Sequence, residues 1–105
     1  MRVVETQIFT KRIRVVLDEE QYRLLQSALI ASPELDKVIP AGGGIWKLRW
    51  AGSGRGKRGG ARVTYRWFPQ QHRILMLFVF LKNEMADLSR KQLRELRRIV
   101  ESELR

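Results

Sequence analysis

The sequence predicts an α+β fold, a sheet of about four strands with helices before and after its middle strands, on three observations. Two short segments, Trp46 to Trp50 and Arg62 to Trp67, alternate apolar and cationic residues with the period of two that belongs to a half-buried strand. Eight consecutive apolar residues, Ile74 to Leu81, lie between turn signals and read as a central strand covered on both faces. Two helices open on capping boxes, Asp18 with Gln21 and Ser89 with Gln92.

In chain order, Val3 to Phe9 is rich in β-branched residues and reads as a first strand. Local signals leave Thr10 to Leu17 open between strand and helix. The helix that starts at Asp18 places Tyr22, Leu25, Ala28 and Leu29 on one apolar stripe and stops at Ser32-Pro33. Pro33 to Gly44 reads as an irregular connection ending in a triple glycine. Pro69 to His72 forms a turn before the central strand. The last helix carries Leu93, Leu96, Val100 and Leu104 at helical spacing, with Leu88 and Leu93 placed as a hydrophobic staple. Its five intervening cations fit either a solvated face or an RNA contact.

At 105 residues the chain is expected to be a single domain, 1–105, with room for one core. Hydrophobic residues make up 44%, which excludes a disordered tail protein. Twenty-one Lys and Arg against eleven Asp and Glu give a formal charge of +10, and that imbalance calls for a polyanionic partner. The absence of cysteine excludes disulfides and thiolate metal sites and suits a reducing cytoplasm. The longest apolar run is too short to span a bilayer, which takes about 20 residues as a helix. No metal-binding motif appears, so no metal or other cofactor is expected.

The charge is concentrated. If the two alternating segments pair as a hairpin, Trp46, Leu48, Trp50, Val63, Tyr65 and Trp67 face a core, while Lys47, Arg49, Arg62 and Arg66 share the opposite face. Among the aromatic residues only Phe68 falls on that basic face, so core packing is favoured over a base-stacking platform. The connection between the strands alternates glycines with Arg55, Lys57 and Arg58, and its amides could approach a phosphate closely. An ordinary basic hairpin loop is the plainer reading; cations on both the loop and the strand face beneath it favour binding. Lys82, Asn83 and Glu84 follow the central strand, where the strand fixes their position.

The phrases Lys-Leu-Arg at 47–49, Gly-Lys-Arg-Gly-Gly-Ala-Arg-Val-Thr-Tyr at 56–65 and Lys-Asn-Glu-Met-Ala-Asp-Leu-Ser at 82–89, in this order of elements, resemble the RelE/ParE superfamily of bacterial toxins. The HigB-like toxins of type II toxin-antitoxin modules are the group most similar. The resemblance covers nearly the whole chain. It implies a RelE-like small domain: an antiparallel sheet of about four strands, N-terminal helices on one face including a short helix around Thr10 to Val15, and a C-terminal helix. It also implies a ribosome-dependent endoribonuclease that cuts mRNA in the decoding site and is silenced by a cognate antitoxin. The sequence departs from the family where many RelE toxins carry a tyrosine, since Met85 to Leu88 occupy that stretch.

RNA is cleaved without a metal when its own 2′-hydroxyl attacks the adjacent phosphorus, so the protein must take one proton, give another and hold the growing negative charge. A lysine crowded by arginines is a suitable base, because like charge disfavours its protonated form. Lys57 and Lys82 fit that role, with Glu84 as a rival, and Arg62 fits the fixed cation on the phosphate. The expected catalytic set is thus Lys57, Arg62, Lys82 and Glu84. The expected RNA-binding set is Lys47, Arg49, Arg55, Arg58, Arg66 and Asn83. His72, alone of its kind, lies in a turn at the other end of the strands and is expected to be structural. Two competing readings are a non-catalytic RNA- or ribosome-binding module and a ParE-like gyrase poison.

Overall fold

The apolar run of the sequence, Arg73–Leu81 (β5), is the strand on which the sheet is built in the computed structural model, which describes residues 1–50 and 60–103. On one side β5 pairs in parallel with Arg2–Glu5 (β1), and on the other it pairs antiparallel with Ala61–Phe68 (β4). Ile45–Trp50 (β3) pairs antiparallel with β4, and Lys37–Val38 (β2) closes the order β1-β5-β4-β3-β2. The α+β fold stands, with five strands in place of about four. The sheet is mixed and not antiparallel, because β1 and β5 are joined by most of the chain, long enough for the crossover that parallel pairing requires.

The first strand ends at Glu5, four residues before the expected Phe9. Thr6 stops it by capping a helix, its hydroxyl accepting from the Phe9 amide at 3.1 Å. That helix, Gln7–Val16 (α1), is longer than the short helix expected around Thr10 to Val15. Phe9, Ile13 and Val16 recur at spacings of four and three and are all buried, so the helical stripe outweighs the β-branched propensity of the segment. Asp18 caps Glu19–Ala31 (α2) as its sequence predicts, accepting from the Gln21 amide at 2.7 Å. Within the connection read as irregular, β2 pairs Lys37 with Lys47 and Val38 with Trp46.

β1 covers β5 only as far as Met76. Beyond it, side chains take over the open edge: the Thr6 hydroxyl donates to the Leu77 carbonyl at 2.8 Å, and Arg12 Nε donates to the Val79 carbonyl at 2.6 Å. An edge strand occupied in this way does not offer itself for pairing with another chain.

Each face of the sheet has its own core. On one, α1 and α2 bury Phe9, Ile13, Leu25 and Leu29 against Leu48, Val63, Tyr65 and Met76. Against the other packs Arg90–Glu103 (α3), whose Leu96 and Val100 meet Ile45, Phe68, Leu75 and Leu77. The capping box at Ser89 and Gln92 is reciprocal, at 3.1 and 2.8 Å, and Leu88 and Leu93 pack beside this second core. A register shift between Thr64 and Tyr65 leaves Leu77 as an extra residue on β5. Leu77 and Phe78 consequently both join the α3 side, which is how an unbroken apolar run is accommodated.

Candidate functional site

The register of β3 against β4 sets Arg49 directly opposite Arg62 and Lys47 opposite Thr64. Thr64 is buried and donates its hydroxyl to the Phe78 carbonyl at 3.2 Å, so it is part of the sheet's interior. The other three form a cationic group on the α3 side of the sheet, at the end that the α3 core residues Ile45 and Phe68 do not reach. Side chains directly opposite across antiparallel strands have Cβ atoms about 4.5–5.5 Å apart, so Arg49 and Arg62 lie within reach of a single phosphate.

A carboxylate joins them. Lys47 Nζ lies 3.1 and 3.2 Å from the two oxygens of Asp87, and the Leu88 amide donates to Asp87 Oδ1 at 2.8 Å. Burial pushes the Asp87 carboxyl up, but the Leu88 amide, the Lys47 ammonium and the nearby Arg62 outweigh it and hold it below the ordinary carboxylate range. Lys47, Arg49, Arg62 and Asp87 thus carry a formal charge of three positives and one negative on one face.

The turn after β5 sits against the start of β4. The Lys82 amide donates to the Gly60 carbonyl at 3.1 Å, and the Glu84 amide donates to the Leu81 carbonyl at 2.9 Å. The Arg62 side chain lies over this joint, its Nη1 3.1 Å from where a Cβ on Gly60 would stand. Lys82 and Arg62 therefore border the same glycine, and Lys82 and Asn83 are exposed beside it. Glu84 is held from behind, its Oε1 accepting from the Leu81 amide and from Arg12 Nη2, each at 2.8 Å. The Leu81 amide is the main cause of a Glu84 carboxyl lying below its usual range, opposed by partial burial and reinforced by Arg12.

Not every expected residue is gathered here. Arg66 lies four residues along β4 from Arg62, about 13 Å at the rise of a strand. Its guanidinium packs over Phe68 with 4.9 Å to the ring centroid and donates to the Trp67 carbonyl, so it belongs to the packing at the opposite end. Phe68 does share the basic face, but it is buried there, with Arg73 on the same ring at 4.6 Å. Trp46, Trp50 and Trp67 pack against the helix-side core, with Trp46 stacked on Tyr65 at 6.4 Å. His72 adopts a left-handed conformation, φ 50°, closing the turn Pro69–Gln71 far from Lys82. Arg55, Lys57 and Arg58 lie outside the described residues.

Two participants escaped the sequence reading. Asp87 had no assigned role, since nothing local ties it to Lys47 forty residues earlier. Arg12 reaches Glu84 across seventy-two residues, and its sequence context is that of an ordinary surface cation. Among the described residues no cluster of three or more His, Asp or Glu side chains stands ready to hold a metal ion, and no helix is long and apolar enough to cross a membrane.

Comparison with known proteins bears on the whole chain. A family model described as the RelE toxin of the RelE / RelB toxin-antitoxin system matches residues 1–104. A chain of the intact E. coli RelBE toxin-antitoxin complex, solved by crystallography, superposes with a TM-score of 0.52 at 16% identity, covering 74% of this chain and 92% of that one. At that identity the superposition speaks for the fold.

Proposed function

The chain belongs to the RelE toxin family, and from that premise we propose that it is the toxin of a type II toxin-antitoxin module, a ribosome-dependent endoribonuclease that cleaves mRNA and stops translation. The observation that carries this reading is the cross-strand pair Arg49 and Arg62, with Lys82 joined to it through Gly60. Two guanidiniums facing each other suit a phosphodiester, because each stays charged and each can bind two oxygens.

In the proposed reaction the 2′-oxygen attacks phosphorus, the bond from phosphorus to the 5′-oxygen breaks, and a 2′,3′-cyclic phosphate and a 5′-hydroxyl result. Arg62 and Arg49 neutralise the non-bridging oxygens as charge gathers on them. One of Lys82 and Lys57, as the neutral amine, accepts the 2′-proton, and the other, as the ammonium, supplies the proton that the leaving oxygen needs. Glu84, already engaged by the Leu81 amide and Arg12, serves as a positioning residue for the turn that carries Lys82 and Asn83.

Proton transfer of this kind contributes about 10²–10⁴ in rate, and removing a single oxyanion donor costs about 10²–10³. A face this open supplies little further orientation by itself, so the decoding site of the ribosome completes it by holding the message in line. An antitoxin with an acidic segment would silence the toxin by covering the same cations.

The test is to induce the protein in growing cells and sequence transcript 5′ ends. New ends within translated codons support the nuclease; intact messages with broken DNA would instead assign a gyrase poison, and stalled translation with neither would assign a non-catalytic binder. Purified protein should cut naked RNA poorly, and fast selective cleavage without ribosomes would overturn the dependence on them.

A further inference from the structure

The Lys47–Asp87 ion pair is shared between the cationic group and a cavity of about 210 Å³ beside it. The walls of this cavity are apolar, Ile39 and Pro40 from the segment after β2 and Leu88 and Leu93 from the entry into α3. Lys37, Lys47, Asp87 and the half-exposed Val38 complete its lining. Resting on the nuclease reading above, we propose that this cavity is a nucleobase subsite, which seats the base of a nucleotide next to the cleaved linkage and selects an amino-bearing base over uracil.

Four observations point there. Position comes first: Lys47 lies two residues along β3 from Arg49, about 7 Å at the rise of a strand, so a chain whose phosphate rests on Arg49 and Arg62 has its next atoms over the cavity. Size is the second, since drug-sized ligands occupy about 300–1,000 Å³ and this space suits one heterocycle. Thirdly, the apolar walls offer contact to the faces of a ring while Lys37 and Lys47 favour a polyanion, the combination by which single-stranded bases are held.

The fourth is the state of Asp87. A carboxylate has roughly four acceptor positions. The Leu88 amide and Lys47 use two on Oδ1, and Lys47 uses one on Oδ2. One remains, on Oδ2. It can accept from a single N–H donor, which the exocyclic amines of adenine, cytosine and guanine provide. Uracil turns carbonyl oxygens toward the carboxylate on either side of its one N–H, so it is disfavoured.

Fluorescence anisotropy with labelled heptanucleotides tests this. The oligonucleotides are uridine throughout except for a varied central base, and are 2′-O-methylated so that they bind without being cut. The wild-type protein should bind those with central A, C or G about threefold to tenfold more tightly than the one with central U. Asp87→Asn should erase that difference, while Arg62→Ala should weaken all four alike. Equal affinity for the four in the wild type, or a preference that survives Asp87→Asn, would overturn the subsite. Methyl NMR of the wild type makes the test independent of the variants: Val38, Ile39, Leu88 and Leu93 should shift on saturation with the A-centred oligonucleotide. If those methyls respond to the co-purified antitoxin and not to any oligonucleotide, the cavity is a protein-docking site and the proposal fails. Cleaved transcripts in cells combined with flat base preference would sink the subsite and leave the nuclease reading standing.

Discussion

Arg49 and Arg62 stand directly opposite each other on β3 and β4, two like charges in the position where a sheet prefers complementary ones. Such a pair costs the fold about 0.2–1 kcal/mol relative to neutral partners. Asp87 relieves part of this, but it is committed first to Lys47 and to the Leu88 amide. The arrangement makes sense as a seat whose missing anion arrives from outside, and stability and activity should respond to its loss in opposite directions.

Arg62→Ala should therefore leave stability unchanged or raise it by up to about 0.5 kcal/mol, since the repulsion it removes offsets the cover its stem gives Phe80, its partner on β5. Transcript cleavage should drop about 10²–10³-fold, the loss typical of one donor to an oxyanion. Binding to single-stranded RNA should lose about 0.7 from its logarithmic salt slope. Urea melts beside a cleavage assay measure both; a variant that unfolds, or one that cleaves normally, contradicts the assignment.

Glu84→Gln separates positioning from proton transfer. A general base in this reaction is worth at least about a hundredfold, whereas loosening the Leu81–Glu84 turn should reduce cleavage by less than about tenfold. Stability at neutral pH should fall by well under about 1 kcal/mol, because the ion pair with Arg12 is partly solvated. The folded-state carboxyl lies below the ordinary 4.5, so as pH falls the unfolded chain takes up the proton first. Glu84's contribution is whole above about pH 4.5 and is lost as the pH drops through the depressed value. Acid titration followed by circular dichroism should show a shallower decline in Glu84→Gln, with the remaining slope belonging largely to Asp87, whose carboxyl is depressed likewise.

Where the sequence was legible, one local rule sufficed. Caps at Asp18 and Ser89, the alternation in β3 and β4 and the apolar run of β5 each depend on neighbours two to four residues away. The same alternation put Lys47, Arg49 and Arg62 on one face. It also put Arg66 there, correctly as to face, but alternation carries no information about which end of a strand α3 covers, and so Arg66 turned out to pack on Phe68. The helix at Gln7 was obscured because Ile8, Val15 and Val16 favour strands, while the hydroxyl of Thr6 and the burial of Phe9 and Ile13 decide for a helix. Lys47 with Asp87, and Arg12 with Glu84, join residues 40 and 72 positions apart, and no local pattern encodes a partner at that distance.

The connection between β2 and β3 yields a pair of substitutions with opposite signs. Ala41 holds φ at 57°, a left-handed conformation that costs a residue with a Cβ about 1–2 kcal/mol. Ala41→Gly removes that strain at the expense of a more flexible unfolded chain, for a net gain of about 0.5–1 kcal/mol. Gly44 has φ 86°, and a Cβ there would lie 2.8 Å from Arg66 Nε, whose side chain is pinned over Phe68. Gly44→Ala should cost about 1–3 kcal/mol. Thermal melts that ranked the two variants the other way would contradict this account of the turn.

Tyr65 ties the core to the segment after α2, and its hydroxyl makes alkaline stability a test of that tie. The side chain is buried, and its hydroxyl donates to the Pro33 carbonyl at 2.7 Å. Burial is the chief cause that pushes its pKa from 10.0 up to about 12. The unfolded chain thus gives up this proton before the folded one does, so the contribution is complete below about pH 10 and disappears as the pH climbs toward 12. Tyr65→Phe should cost about 1 kcal/mol at neutral pH through the lost hydrogen bond and the stranded carbonyl. It should also flatten the decline in stability between pH 10 and 12, leaving the part due to Tyr22, whose hydroxyl is pushed upward by burial and by its bond to Glu5. An alkaline melting curve identical in the variant and the parent would mean that Tyr65 ionises as freely in the folded protein as in the unfolded chain, and that its bond to Pro33 does not persist in solution.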